Sequence, residues 1–183
     1  GKMRQITRLS IAILCLLLLS SACVFAAGLG TTQFRLYHSV GNPSKQYYCE
    51  FRDPNTNQAI RSVTFDESGR HLFATIMIIY SNTVTTSVSI SFDALKSSSN
   101  FYYDYQMEVL IPDSTTKLCE VTYVNNGHGQ GSAVLANSKE FKSYKTTGGA
   151  LCTDEIADLA IILDDSEGAA GTYTGNITIT LTT

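Results

Sequence analysis

The sequence predicts an all-β domain, an antiparallel sandwich, and three observations carry that reading. Apolar residues recur at every second position through most of the chain after its leader, the period of a strand with one buried face. Clusters of Gly, Asn, Asp, Pro and Ser divide the alternating runs into short segments. Helical spacing is confined to two brief stretches. Short alternating strands with turn chemistry between them indicate a sandwich or a barrel.

The first 26 residues read as an address. Lys2, Arg4 and Arg8 precede the apolar run Ile11 to Leu19, which is shorter than the roughly 18–20 residues a membrane-spanning helix needs. That is the n-region and h-region of a secretory signal peptide, with Val24 and Ala26 placing cleavage before Ala27. "LSSAC" also approaches a lipobox, which would acylate Cys23 and anchor the protein. Either outcome takes the domain out of the cytoplasm.

The strands follow in order. "QFRLYHSV" alternates Phe34, Leu36, His38 and Val40, and "GNPS" ends it. "QYYCEFR", closed by "DPNTN", and "AIRSVTF", closed by "DESG", come next. "HLFATIMIIY" is apolar on both faces and reads as a central strand, with Ser81 and Asn82 suited to a tight hairpin into "TVTTSVSISF". "FYYDYQMEVLI" sets Phe101, Tyr103, Tyr105, Met107, Val109 and Ile111 against Asp104, Gln106 and Glu108, a half-buried strand. "LCEVTYV" follows "PDST". The two helix-like stretches are "SAVLANSKEFKSY" and "TDEIADLA", where Thr153 can cap a single turn. "DLAIILD" and "TYTGNITITLT" complete the set. The predicted core contains Phe73, Ile76, Ile78, Val88, Ile90, Tyr103, Tyr105, Val109, Ile177 and Ile179.

Composition narrows the function. The leader holds three of the thirteen Lys and Arg and none of the sixteen Asp and Glu, so removing it takes the net charge from −3 to −6. A mildly acidic domain without basic clusters is a poor partner for nucleic acid or anionic membrane. No GxSxG or spaced carboxylate pair supplies a nucleophile with its base, so no catalytic residues are assigned and the chain is not read as an enzyme. No CxxC or HxxxH spacing offers a metal site, and no cofactor is called for. Asp164, Asp165 and Glu167 lack calcium-loop spacing and read as a solvated turn, as do Asp154, Glu155 and Asp158. His128, in "NNGHGQG", sits in a loop suited to a contact tip. Asn176 begins an "NIT" glycosylation signal, but its place inside a regular strand argues against a glycan.

Cys49, Cys119 and Cys152 remain after the leader. In an oxidising compartment two of them should pair. Cys119–Cys152 is the expected disulfide, with Cys49–Cys119 as the competitor.

The C-terminal "AGTYTGNITITLTT" places Tyr173, Ile177, Ile179 and Leu181 on one face as a core strand, and Thr174, Asn176, Thr178 and Thr180 on the other. This Gly-Thr-Tyr start followed by alternating Thr and Ile resembles the last strand of chaperone–usher pilins and of the related spore-coat U domains. The resemblance implies an immunoglobulin-like sandwich that is incomplete and is completed by a donated strand. It divides the chain into a signal peptide (1–26), an N-terminal extension holding a donor strand (27–45) and the sandwich (46–183), with Phe34, Leu36 and Val40 as the donated side chains. It further implies a secreted or surface structural or adhesive subunit of a fimbria-like assembly. Its partners would be like subunits, a periplasmic chaperone and usher, and a host protein or glycan receptor. The alternative is a monomeric periplasmic or lipid-anchored binding module with a ligand site on its loops, in which the Phe34 segment is the domain's own first strand.

Overall fold

The structure, a computed structural model, describes residues 30–38, 47–124, 130–144, 151–164 and 170–183. The expected signal peptide, Cys23, Val40, the His128 loop, Asp165 and Glu167 lie outside them. Among the described residues there are twelve strands: β1 (Thr31–His38), β2 (Tyr47–Arg52), β3 (Ser62–Phe65), β4 (Gly69–Tyr80), β5 (Val84–Phe92), β6 (Leu95–Ser97), β7 (Tyr102–Tyr103), β8 (Tyr105–Leu110), β9 (Lys117–Val124), β10 (Gly131–Phe141), β11 (Cys152–Leu163) and β12 (Thr172–Thr182). No helix occurs among the described residues.

The strands form two sheets, the predicted sandwich, and neither closes into a barrel. One sheet runs β10-β5-β12-β1-β3, with β6 continuing beside β12 and pairing with β7. The other runs β2-β4-β11-β8-β9. Among the described residues every pairing is antiparallel except that of β1 with β12, which is parallel over Thr31–His38 against Thr172–Ile179.

All ten predicted core residues are buried between the sheets. The turn chemistry is also as read. Asp53 Oδ1 accepts from the N–H groups of Asn55 (2.7 Å) and Thr56 (3.0 Å), an Asx-type turn, and Asn57 takes a φ of 56°. Asp113 (φ 55°) turns the β8–β9 hairpin, and Gly69 opens β4 at φ 107°, a conformation an L side chain resists.

Four expectations need correction. "SAVLANSKEFKSY" is rich in helix formers, yet it belongs to β10, whose Ala133, Leu135, Ala136 and Phe141 face the core. Bulges between Val134 and Ala136 and between Ala136 and Lys139 break its alternation into something like helical spacing. Ser138 sits at φ 45° there, its N–H donating to Ser87 Oγ at 2.8 Å. "TDEIADLA" is likewise strand, the bulged first half of β11, which pairs with β4 and β8. "FYYDYQMEVLI" is two strands in different sheets, separated by Asp104; Phe101, 59% exposed, precedes the first, and Ile111, 41% exposed, follows the irregularity between Glu108 and Leu110 that ends β8. Ser81 and Asn82 form no hairpin, because β4 and β5 lie in opposite sheets and the chain crosses the sandwich between them.

Candidate functional site

The C-terminal strand sits inside its sheet. Its inward face, Tyr173, Ile177 and Ile179, is buried, and Leu181 is half-buried against the core. One flank of β12 is taken by β5 and then β6, and the other by β1. The switch from β5 to β6 occurs at Asp93. Its N–H donates to the Asn176 carbonyl (2.9 Å), and its carboxylate accepts from Asn176 Nδ2 and Gln130 Nε2, each at 2.9 Å. Its carbonyl accepts from Tyr105 Oη at 2.6 Å. The Asn176 amide is therefore engaged inside the fold.

On the other flank, β1 brings Phe34 (0% exposed) and Leu36 (5%) into the core, in register with Gly175 and Ile177. Gly175 supplies the room. A Cβ there would lie 3.3 Å from the Phe34 ring and 3.1 Å from the Ala94 carbonyl, so the ring fills the space an absent side chain leaves. Phe34 then meets Tyr105 of the opposite sheet edge-on, with ring centroids 5.3 Å apart. Gly30 has a matching role, since a Cβ there would fall 2.7 Å from the Tyr173 ring and 2.8 Å from the Gly171 carbonyl. Within one chain, two of the three side chains read from sequence as donors thus complete this chain's own sheet, and the third, Val40, lies outside the described residues.

The expected disulfide is absent, and so is its competitor: Cys49, Cys119 and Cys152 are free thiols. Topology explains both. Cys119 is two strands from β11, and Cys152 lies six residues beyond the end of the β11–β8 pairing at Asp158. That offset is roughly 20 Å along the strands, while a disulfide needs Cα atoms within about 7 Å. Cys49 and Cys119 occupy opposite edges of one five-stranded sheet, roughly 19 Å apart at the usual strand spacing. Burial pushes the Cys49 thiol up to about 12 and raises that of Cys119. Alkylation at about pH 8 should therefore modify Cys152 first and spare Cys49 until denaturant is added. Fewer than three thiols in the unfolded chain from residue 27 would contradict the free assignment.

A groove of about 480 Å³ lies on the outer face of the five-stranded sheet, between the Asp53–Asn57 turn and the β8–β9 hairpin. Asp158, 5% exposed, accepts there from Thr75 Oγ1 at 2.6 Å and from the Asp113 N–H at 3.0 Å. Arg70, also lining it, pairs with Glu108 at 2.8 Å. Partial desolvation raises the Glu155 carboxyl above the usual glutamate range, and the charges of Asp113 and Asp158 add to the rise. Asp154, Glu155 and Asp158, expected from the sequence to be solvated turn residues, lie along β11 instead. Among the described residues no group of three His, Cys, Asp or Glu is placed to hold a metal.

The raised Glu155 has a measurable consequence. A folded value above the unfolded one means that ionisation opposes folding. The penalty is absent where the group is protonated in both states and complete once pH exceeds the folded value. Glu155→Gln should raise the melting temperature at pH 7, with the difference fading by about pH 3.5. An equal shift at both pH values would sink this account.

No protein-family model matches the chain, and no curated protein matches it. Among solved structures, the chain is similar at low level to the major pilin of Streptococcus pyogenes and to a point mutant of it, with 7% and 6% identity. Each comparison covers 83% of this chain and 98% of the pilin, at a TM-score of 0.18. No structural inference follows from likeness at that level.

Proposed function

We propose that the chain is an exported surface subunit, structural or adhesive, whose copies join by exchanging β1. One observation supports this most: the first described strand occupies an interior slot of its sheet, between β12 and β3, and buries Phe34 and Leu36 there. A strand at the N-terminal side of a domain can leave its slot and enter a neighbour's without rethreading the chain, and the same contacts then form between copies. An emptied slot would expose β12 along its length, an aggregation hazard that calls for a strand-donating chaperone during export and an usher-like assembly partner. The reading assigns no catalytic role, and a host protein or glycan is the expected receptor.

A self-completed monomeric binding module is the second reading, favoured by the in-chain seat of β1 and by the outer groove at Asp158. The two separate on one experiment. The chain from residue 27 is concentrated and examined by light scattering and by electrophoresis without heating. Exchange predicts heat-sensitive ladders, lost on deletion of residues 29–40, with the deleted subunit binding a peptide of that sequence. A monomer at every concentration overturns it.

A further inference from the structure

The chain after residue 26 has four arginines, Arg35, Arg52, Arg61 and Arg70, all within or between its first four strands. Two are neutralised inside the fold, Arg52 by Glu50 at 3.2 Å and Arg70 by Glu108 at 2.8 Å. Arg35 and Arg61 form no ion pair among the described residues, and both line one cavity of about 340 Å³.

The cavity lies at the seam where the two sheets approach each other. β3 pairs with β1 only as far as Arg35, and the chain before it crosses from one sheet to the other. Ile60 N–H donates to the Phe51 carbonyl at 2.8 Å on the β2 side, and Leu36 N–H donates to the Arg61 carbonyl at 2.9 Å on the β1 side. Leu36, Phe51 and Ile60 give the cavity an apolar lining, and Tyr37, 47% exposed, adds a ring with a hydroxyl handle.

We propose that this cavity binds an acidic monosaccharide, a uronic or sialic acid. Arg35 and Arg61 take its carboxylate, and Tyr37 takes the apolar face of the sugar ring. Planar guanidinium forks match a carboxylate in two parallel hydrogen bonds, a geometry lysine cannot supply. The volume falls at the small end of ligand sites, which suits one sugar rather than a chain of them. Glu50 also lines the cavity but is already paired with Arg52 at 3.2 Å, so both guanidiniums of Arg35 and Arg61 are left to bind the ligand's carboxylate. A captured peptide terminus would want a nest of backbone N–H groups, whereas here the Leu36 and Ile60 amides are already spent on carbonyls. The inference does not depend on whether copies polymerise.

The test is a titration of the folded chain from residue 27 with N-acetylneuraminic acid and with glucuronic acid, followed by amide NMR shifts, with N-acetylglucosamine as the neutral comparator. One of the acids should shift the amides of Arg35 to Tyr37 and of Ile60 and Arg61 saturably. The neutral sugar should bind about tenfold more weakly or worse. Arg35→Gln and Arg61→Gln should each weaken the acid by about tenfold or more, and Arg35→Lys by less, since it keeps the charge and loses the fork. Lys139→Gln, on the edge strand β10, should change nothing. Both arginines are exposed, so their variants should keep the strand-dominated circular dichroism that certifies folding. No saturable shift with either acid overturns the proposal, as does equal binding of the neutral sugar. So does unchanged affinity in the folded glutamine variants.

Discussion

Phe34→Ala is expected to destabilise the domain by about 3–5 kcal/mol, the usual loss for emptying a fully buried phenylalanine site. The site should not collapse to absorb the change. Phe34 touches both sheets, resting over Gly175 in its own and meeting Tyr105 across the sandwich. Gly175 has no side chain to move into the void, and Tyr105 is held by its hydroxyl bond to Asp93. Tyr37 on the same strand points outward and is half exposed, so Tyr37→Ala should stay within about 0.5 kcal/mol of the parent. Urea unfolding of the three proteins makes the comparison. Equal midpoints for Phe34→Ala and Tyr37→Ala would mean that β1 is not seated as described. The same pair bears on assembly: if copies exchange β1, Phe34→Ala should dissolve any ladder and Tyr37→Ala should leave it.

The sequence carried the strands and the core because period-two burial is a local signal. A residue such as Ile78 or Ile177 announces its face through its immediate neighbours, whatever sheet it joins. Three kinds of feature escaped that logic. Bulges in β10 and β11 set Leu135 beside Ala136 and Ile156 beside Ala157 on buried ground, which in one dimension looks helical. A one-residue switch at Asp104 sends Tyr103 and Tyr105 to different sheets with both still buried, so alternation alone reads straight through it. The turn at Ser81 and Asn82 has chemistry that serves a hairpin and an inter-sheet crossing equally, and only the partners of β4 and β5 decide between them.

The candidate sites were legible in proportion to how local they are. The apolar face of the Phe34 segment was evident, but whose sheet it enters is a question of pairing over more than a hundred residues. The cysteine pairing failed for the same reason, since sheet order, not spacing in the chain, sets the distances. Arg35 and Arg61 carry a faint sequence signal, since the arginines after residue 26 are confined to one end of the chain.

Asp158→Ala should cost about 2–4 kcal/mol, the second-largest effect expected of a single change, for a reason unlike that of Phe34. One carboxylate joins three elements. Oδ1 accepts the Thr75 hydroxyl of β4, Oδ2 accepts the Asp113 N–H of the β8–β9 hairpin, and the side chain itself comes from β11. Truncation leaves the Thr75 hydroxyl, 9% exposed, without its acceptor, and frees a hairpin amide whose residue sits at φ 55°. A buried donor stripped of its acceptor forfeits about 1–3 kcal/mol. Asp158→Asn keeps the shape and one acceptor oxygen, so it should cost about half as much. Thr75→Val removes the stranded hydroxyl along with its bond and should cost less in the Asp158→Ala background than alone. That coupling, about 1 kcal/mol or more in a double-mutant cycle, distinguishes a shared hydrogen bond from two independent packing losses. Hydrogen exchange at the Asp113 amide supplies the local readout: it should accelerate in Asp158→Ala and stay protected in Thr75→Val. Additive energies together with an unchanged Asp113 amide would refute the three-way tie.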